Sequence, residues 1–305
     1  MDNMQLFSAP GNLDVDGALK LLEAVGLPME SGSVIAVKVD FTKPCPPCLP
    51  VICDALREKG SLAFLADTAP GYGDALKSLW YAPANGYDRA GAPCVLADGV
   101  KGTDYELIPA RGVKLLRSAK FGRAILDADA ILSVTELTVD EGGYCGVIHD
   151  LGYGCASRAG KTEVQTSGKP VVDPDLCIGC GKCAAVCEHG GARLDAETRK
   201  ASIFPPKCSG CSRCMRACPV NAIRPNFDVS DETVLERLAE YAKALCDAKP
   251  HAHLVLLDQA YASADPAALD ALCAEKMELP DALRAAERHA AALGFGAPES
   301  EIVSI

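Results

Sequence analysis

Eight cysteines lie between Cys177 and Cys218 in two runs of one form: Cys177-x2-Cys180-x2-Cys183-x3-Cys187, then Cys208-x2-Cys211-x2-Cys214-x3-Cys218-Pro219. Three thiolates at such short spacing can grip three iron corners of a cubane, while the fourth is free to cross over to a second one. The doubled pattern therefore points to two [4Fe–4S] clusters. One would be held by Cys177, Cys180, Cys183 and Cys218, the other by Cys208, Cys211, Cys214 and Cys187. Zinc closes its shell with four ligands and has no need of eight thiolates arranged this way. A disulfide frame belongs to oxidising compartments, and Met1 to Pro10 shows neither the basic nor the apolar region of a secretory signal.

The other eight cysteines are Cys45, Cys48, Cys53, Cys94, Cys145, Cys155, Cys246 and Cys273, most of them expected as small buried apolar residues. Cys45-Pro-Pro-Cys48 differs. It follows a strand-like Val39-Asp40-Phe41 and precedes a helical pattern. A dithiol at a helix N-terminus has its thiolate favoured by the amide dipoles. The turn resembles a thioredoxin active site, with Gly91-Ala92-Pro93-Cys94 as the facing proline loop, although the tryptophan before the first cysteine is absent and the spacing to Phe41 is one residue short. Cys45 and Cys48 are therefore candidates for a redox-active or metal-binding pair, the only catalytic candidates in the chain.

Gly154 to Thr162 is rich in glycine and carries Arg158 and Lys161. It is not a nucleotide-binding P-loop, because five residues instead of four separate its glycines and no apolar strand runs into it. Arg158, Lys161 and the loop amides could hold a carboxylate or phosphate. The alternative is a tight structural loop with Lys161 in solvent. Glu136, Asp140, Glu141, His149 and Asp150 bracket this loop and either line a pocket at the carboxyl ends of strands or form a charged rim. His251-x-His253 would set two rings on one strand face, which suits a metal. Without an adjoining acid or thiol, a solvated strand edge is the simpler expectation.

The chain has 305 residues, 49% hydrophobic and 23% charged, enough for a main core plus a small module. No apolar run reaches bilayer length, so no membrane insertion is expected. The net charge of −11 argues against nucleic-acid binding. From Lys169 to Asn226 nine Lys/Arg face five Asp/Glu. That local excess, with Lys182, Arg213 and Arg216, would offset cluster charge and attract an acidic redox carrier, although ordinary surface scatter explains the counts equally well.

Helical and strand patterns alternate before residue 150: helix over Leu13–Val25, strand over Ser33–Phe41, helix over Leu49–Lys59, strand over Leu62–Asp67, helix over Asp74–Tyr81, strand over Cys94–Ala97, helix over Phe121–Leu126 and strand over Ala130–Leu137. Lys161–Pro174 reads as a linker. The cysteine segment repeats internally at an offset of 31, CIGCGKCAAVCEHGGAR against CSGCSRCMRACPVNAIR, which predicts a pseudo-twofold. A helix over Asp231–Ala248, a strand over His253–Leu257, a helix opening at Asp265-Pro266 and a last helix over Asp281–Leu293 follow. The expected fold class is α/β, a mainly parallel sheet with helices on both faces, plus an inserted small α+β two-cluster ferredoxin-like domain. Residues 1–168 and 227–305 would build the body and 169–226 the cluster module.

Gly91–Tyr105 (GAPCVLADGVKGTDY), Leu151–Lys161 (LGYGCASRAGK), the doubled cysteine motif and Ala262–Asp270 (ASADPAALD) occur in the order seen in an uncharacterised iron–sulfur family, named in words "domain of unknown function three-six-two", which this chain resembles over most of its length. The resemblance implies an α/β protein with an inserted two-cluster module and no established activity. Three departures stand out. A His-Phe-Lys-Gly-His-like stretch is replaced by Ser133–Asp140, a lysine before Asn-Leu-Gly is replaced by His149-Asp150, and Glu188 stands where proline follows the fourth cysteine.

The expected function is an iron–sulfur electron-transfer protein with two [4Fe–4S] clusters, delivering electrons to or through its α/β body. Exposed clusters of this kind are damaged by oxygen, which implies the cytoplasm of an anaerobe and a redox protein partner of ferredoxin, flavodoxin or reductase type. If the body binds a flavin or a further metal, the chain is an oxidoreductase or a subunit of one. If not, it is a docking relay. A cluster scaffold or maturation factor and a Cys45/Cys48 dithiol protein are the remaining alternatives.

Overall fold

The computed structural model describes residues 5–71, 75–140, 143–167, 169–280, 284–296 and 302–305. Its centre is one eight-stranded sheet made of β1 (Leu6–Pro10), β2 (Val34–Lys38), β3 (Leu62–Asp67), β4 (Cys94–Leu96), β5 (Ala130–Thr135), β6 (His251–Leu256), β7 (Gln259–Ser263) and β8 (Ile302–Ser304). The spatial order is β8-β1-β7-β6-β5-β2-β3-β4. β6, β5, β2, β3 and β4 are mutually parallel. β7 turns back from β6 and pairs antiparallel with both β6 and β1, and β8 lies parallel to β1. Only β7 thus runs against the rest, giving a mainly parallel α/β sheet.

The central strands are apolar on both faces, as a sheet covered on both sides requires. Ile35, Val37 and Leu132 enter one core, with Leu21 and Leu22 of α1 (Val15–Ala24) and Ile52 and Leu56 of α2 (Leu49–Glu58). Ala36 and Ile131 point the other way, into a core with Leu238, Tyr241 and Leu245 of a helix over Asp231–Ala248 and Leu269 and Cys273 of a helix over Pro266–Lys276. The Asp265 carboxylate accepts from the amides of Ala267 and Ala268 at 2.9 and 3.0 Å, the cap that Asp-Pro predicts. β5 and β6 are neighbours in the sheet although the whole cysteine segment lies between them in sequence.

Several expected elements differ. A hairpin of Tyr105–Pro109 with Ser118–Gly122 occupies the region read as a helix from Phe121, and only Arg123–Asp127 is helical there. The expected helix over Asp74–Tyr81 is found over Ala75–Ala84, and the last helix over Ala285–Ala292; Asp74 and residues 281–283 lie outside the described residues. His253, expected at a solvated strand edge, is wholly buried, because β6 is an interior strand.

The linker expected over Lys161–Pro174 begins inside a helix instead, Arg158–Gln165, most of which is buried. Its polar sequence hid it. The Ser157 hydroxyl accepts from the Gly160 amide at 3.3 Å and the buried Asp98 carboxylate accepts from the Arg158 amide at 2.9 Å, which starts the helix. Gly160 lets it press against the Lys120 backbone, since a Cβ there would lie 2.5 Å from the Lys120 carbonyl oxygen. Backbone cannot swing aside as a side-chain tip can. Gly160→Ala should therefore destabilise the protein by about 1–3 kcal/mol, read as a lower denaturation midpoint. An unchanged midpoint would contradict this packing.

Candidate functional site

The cysteine segment folds by crossed pairing of its halves. Val171–Val172, ahead of Cys177, pairs antiparallel with Ile223–Arg224, beyond Cys218. Ala192–Leu194, beyond Cys187, pairs antiparallel with Ala201–Ile203, ahead of Cys208. Each fourth cysteine is thus carried to the opposite half. One cavity is lined by Cys177, Cys180, Cys183 and Cys218, and a second by Cys208, Cys211, Cys214 and Cys187. The repeat extends to the backbone. Gly179 and Gly210, Gly181 and Ser212, and Gly190 and Asn221, each pair 31 residues apart, all have positive φ.

The donor set fits a cluster in each cavity. Backbone amides already point at sulfur: Gly191 and Ala192 donate to Cys187 Sγ, Ala201 to Cys177 Sγ and Ala222 to Cys218 Sγ, all at 3.2 Å. Amides from Ala201 and Gly179 hold the Cys177 thiol below its ordinary pKa. Burial opposes the same effect at Cys187, but amides from residues 189–192 prevail. Burial pushes Cys214 up to about 12. Glu188, which stands where the resembled family has proline, forms an ion pair with Arg213 of the other half, so a charge contact joins the halves at this position.

The two cavities stand differently in the molecule. Around the first, Cys180 is exposed, Ile178 is 64% exposed and Leu176 47%. The second faces the body. The Ser212 hydroxyl, between Cys211 and Arg213, lies 3.2 Å from the Thr162 hydroxyl on the Arg158–Gln165 helix and 3.4 Å from the Gly71 carbonyl. Those contacts lock Ser212 into its left-handed conformation.

A polar cavity of about 300 Å³ opens at the carboxyl ends of β2, β3 and β5. Lys38 ends β2 and is buried, with Nζ 2.5 Å from the Val39 carbonyl, 3.7 Å from Asp67 and 3.8 Å from Asp150. Burial opposes its charge, but Asp150 and Asp67 outweigh it and hold the ammonium above its ordinary pKa. Burial raises Asp67 against the pull of Lys38. Lys161 also lines the cavity, its Nζ 3.3 Å from the Thr68 carbonyl and 5.2 Å from the Tyr153 ring centre, and burial lowers its pKa. His149 stacks on Tyr153 at 5.2 Å, and burial pulls its pKa down to about 4, leaving a neutral imidazole. Gly154 is required by this closeness, since a Cβ would meet Lys38 Cε at 2.8 Å.

Of the expected pocket residues, Glu136, His149 and Asp150 are gathered at this cavity, with Glu136 on its exposed rim. The Asp140 side chain and Glu141 lie outside the described residues. Lys161, expected in solvent in the structural reading of the loop, is 5% exposed. Arg158 does not line the cavity. It is fully buried against Gly102, where a Cβ would come 2.7 Å from Nε. The amides of Arg158 and Gly160 are taken by Asp98 and Ser157, so the loop forms no open amide nest for an anion. Sequence reasoning passed over Lys38, Asp40 and Asp67. The clue was present: charged residues close or follow two otherwise apolar parallel strands, where such sheets bind ligands.

Cys45 and Cys48 are free thiols, and Cys48 is buried at the start of α2. The helix dipole does not lower their pKa. Burial, then Cys94, pushes Cys45 up to about 11, and burial pushes Cys48 up to about 12.

Residues 169–219 match the 4Fe-4S dicluster domain. That segment indicates [4Fe–4S] clusters and is confined to the cysteine runs; the resemblance drawn from Gly91–Tyr105 and Leu151–Lys161 has no counterpart in it. No protein of curated function matches the chain. Among solved structures it is similar to the lactate racemase apoprotein from Thermoanaerobacterium thermosaccharolyticum, at 13% identity and a TM-score of 0.47, over 87% of this chain and 55% of that one. The chain thus spans about half the length of that protein, and a likeness this distant carries no argument about activity. Among the described residues no helix is long and apolar enough to cross a membrane.

Two outcomes follow from the pKa directions. Cys45 and Cys48 should resist alkylation at about pH 8, where only a small thiolate fraction exists, and fast labelling of either, mapped by mass spectrometry, would refute the burial argument. His149 binds its proton more weakly when folded, so stability should fall as pH drops from 6.5 toward about 4. The contribution is at most about 3 kcal/mol. His149→Gln should flatten the unfolding free energy over that window, and an unchanged slope would count against a neutral buried imidazole.

Proposed function

We propose that the protein is an iron–sulfur electron-transfer protein in which Cys177, Cys180, Cys183 and Cys218 hold one [4Fe–4S] cluster and Cys208, Cys211, Cys214 and Cys187 the other. Bound clusters supply one-electron redox chemistry at low potential. The reading rests above all on the asymmetry of the two cavities, one with Cys180 exposed at its edge and the other joined to the body through Ser212, Thr162 and Gly71. Electrons would enter at the first set and leave from the second, toward the Lys38–Asp67–Lys161 cavity.

The chain's own groups have distinct tasks in this scheme. Amides donated to Cys177, Cys187 and Cys218 spread the negative charge gained on reduction and raise the potential. Leu176 and Ile178 are exposed near Cys177 and Cys180 and would give a redox partner an apolar contact, with the exposed Lys182 of the same cysteine run favouring an acidic one. In the body, Lys38, Lys43 and Lys161 line a cavity that they share with Asp40, Asp67, Asp150 and Glu136, so a small polar ligand would meet charges of both signs there. An oxidoreductase role for the body depends on that cavity being used. The oxygen sensitivity of such clusters fits an anaerobic cytoplasm.

The test is anaerobic. The protein should carry about eight irons and eight sulfides per chain, and Cys180→Ser and Cys211→Ser should each lose about half. Reduction by a reduced ferredoxin should fall to background in Cys180→Ser, while dithionite still reduces the cluster that remains. About four irons in the parent chain would overturn the two-cluster assignment. Carrier reduction that survives Cys180→Ser would overturn the order of entry.

A further inference from the structure

Three side chains of metal-ligand type meet at the amino end of β6, away from both the cysteine module and the polar cavity. Cys246 sits in the last turn of the Asp231–Ala248 helix, His251 opens β6, and His253 follows on the same strand face. One ligand atom of each lies within 4.8 Å of those of the other two, and the two rings are 5.2 Å apart. The sequence offered the His-x-His pair without a thiol; the helix end brings Cys246 to it.

The hydrogen bonding of the rings leaves a gap that a metal would fill. Nδ1 of His251 faces the Lys249 carbonyl at 2.8 Å and Nδ1 of His253 faces the Ser133 hydroxyl at 3.3 Å, leaving Nε2 of both rings as the available donors. His253 has no solvent exposure, yet its Nε2 has no hydrogen-bond partner among the described residues. A buried polar atom left in that state is costly. Ser133 is itself held by Thr135 at 3.1 Å, so both imidazoles have the outer partners that fix metal-binding histidines.

We propose that Cys246, His251 and His253 form a site for a zinc-class divalent cation, bound by one thiolate and two imidazoles with water in the fourth position. A set with sulfur and nitrogen and no carboxylate excludes hard cations such as magnesium and calcium. Cys246 and His251 are only partly buried, which leaves an approach from solvent, and three protein ligands with an open position are the mark of a reactive zinc site. On binding, the Cys246 thiol loses its proton to solvent as the metal–sulfur bond forms, and no electron is transferred. None of the three residues belongs to the proposed cluster ligands or the cavity, so the site stands apart from the electron-transfer reading.

The experiment uses the full chain with its clusters loaded, because bare cluster cysteines would themselves take zinc. The protein is stripped with a chelator, titrated anaerobically with zinc and assayed for metal. One zinc per chain is expected beyond the cluster iron, with X-ray absorption showing one sulfur at about 2.3 Å and two nitrogens at about 2.0–2.1 Å. Cys246→Ala and His251→Ala should each weaken binding on the order of 100-fold or more, with cluster iron and chelator-treated Tm unchanged. No zinc beyond the clusters, equal affinity in both variants, or more than one sulfur in the zinc shell would overturn the proposal. Should either variant lose its iron or unfold, the parent chain's zinc shell still decides.

Discussion

The body is organised around one buried charge. Lys38 ends the central strand β2 with its side chain 2% exposed, held by Asp67 from β3, Asp150 from the turn before Gly154, and the Val39 carbonyl. An ammonium stranded there without its acids would cost several kcal/mol. The requirement reaches outward. It bears on the wide π-helical turn Asp150–Gly154, on the missing side chain at Gly154, and on the placement of the Arg158–Gln165 helix that follows. The same helix carries Lys161 into the cavity and Thr162 to the cysteine module. The geometry of the cavity and the joint to the module are therefore set together.

The module meets that helix with its own constraint. Ser212 takes the conformation its counterpart Gly181 takes freely, at φ 61° against 76°, and its hydroxyl bonds repay the strain. One half of the repeat keeps the unconstrained residue and faces solvent. The other has exchanged it for a residue that grips the body. The symmetry of sequence is thus broken in space, with Cys180 of one cysteine-lined cavity exposed and Ser212 beside the other cavity bonded to the body.

The parts of the fold that were legible in sequence are those where local pattern and burial agree. β3 at Leu62–Asp67 and the helix at Asp231–Ala248 match their expected limits, because a short apolar run bounded by Gly60 and a long amphipathic run capped by Ser230 have one solution each. β7, QAYAS, passed unnoticed because pairing on both sides makes it a strand and its residues do not. In sequence the Arg158–Gln165 helix divides between a glycine-rich loop and the start of a linker at Lys161, because the partners of Lys161 and Glu163 lie far away in sequence. The eight cysteines stood out through spacing alone. The cavity was legible only in part, through Glu136, His149 and Asp150, since Lys38, Asp40 and Asp67 reach it from separate strand ends, and Cys246 comes near His251 and His253 only through the helix-to-strand turn.

The order of strands also dictates a timetable. β5 finds its neighbour β6 across a gap in which Ser133 and His253 are 120 residues apart, and β1 waits for β7 and β8 from the far end of the chain. The ribosome delivers residues 171–224, with short-range pairings of their own, before any of these partners exists. The emerging polypeptide thus carries a half-built sheet with one open face and a cysteine segment whose strand pairs are all internal to it, so the two cysteine runs can pair before the body closes.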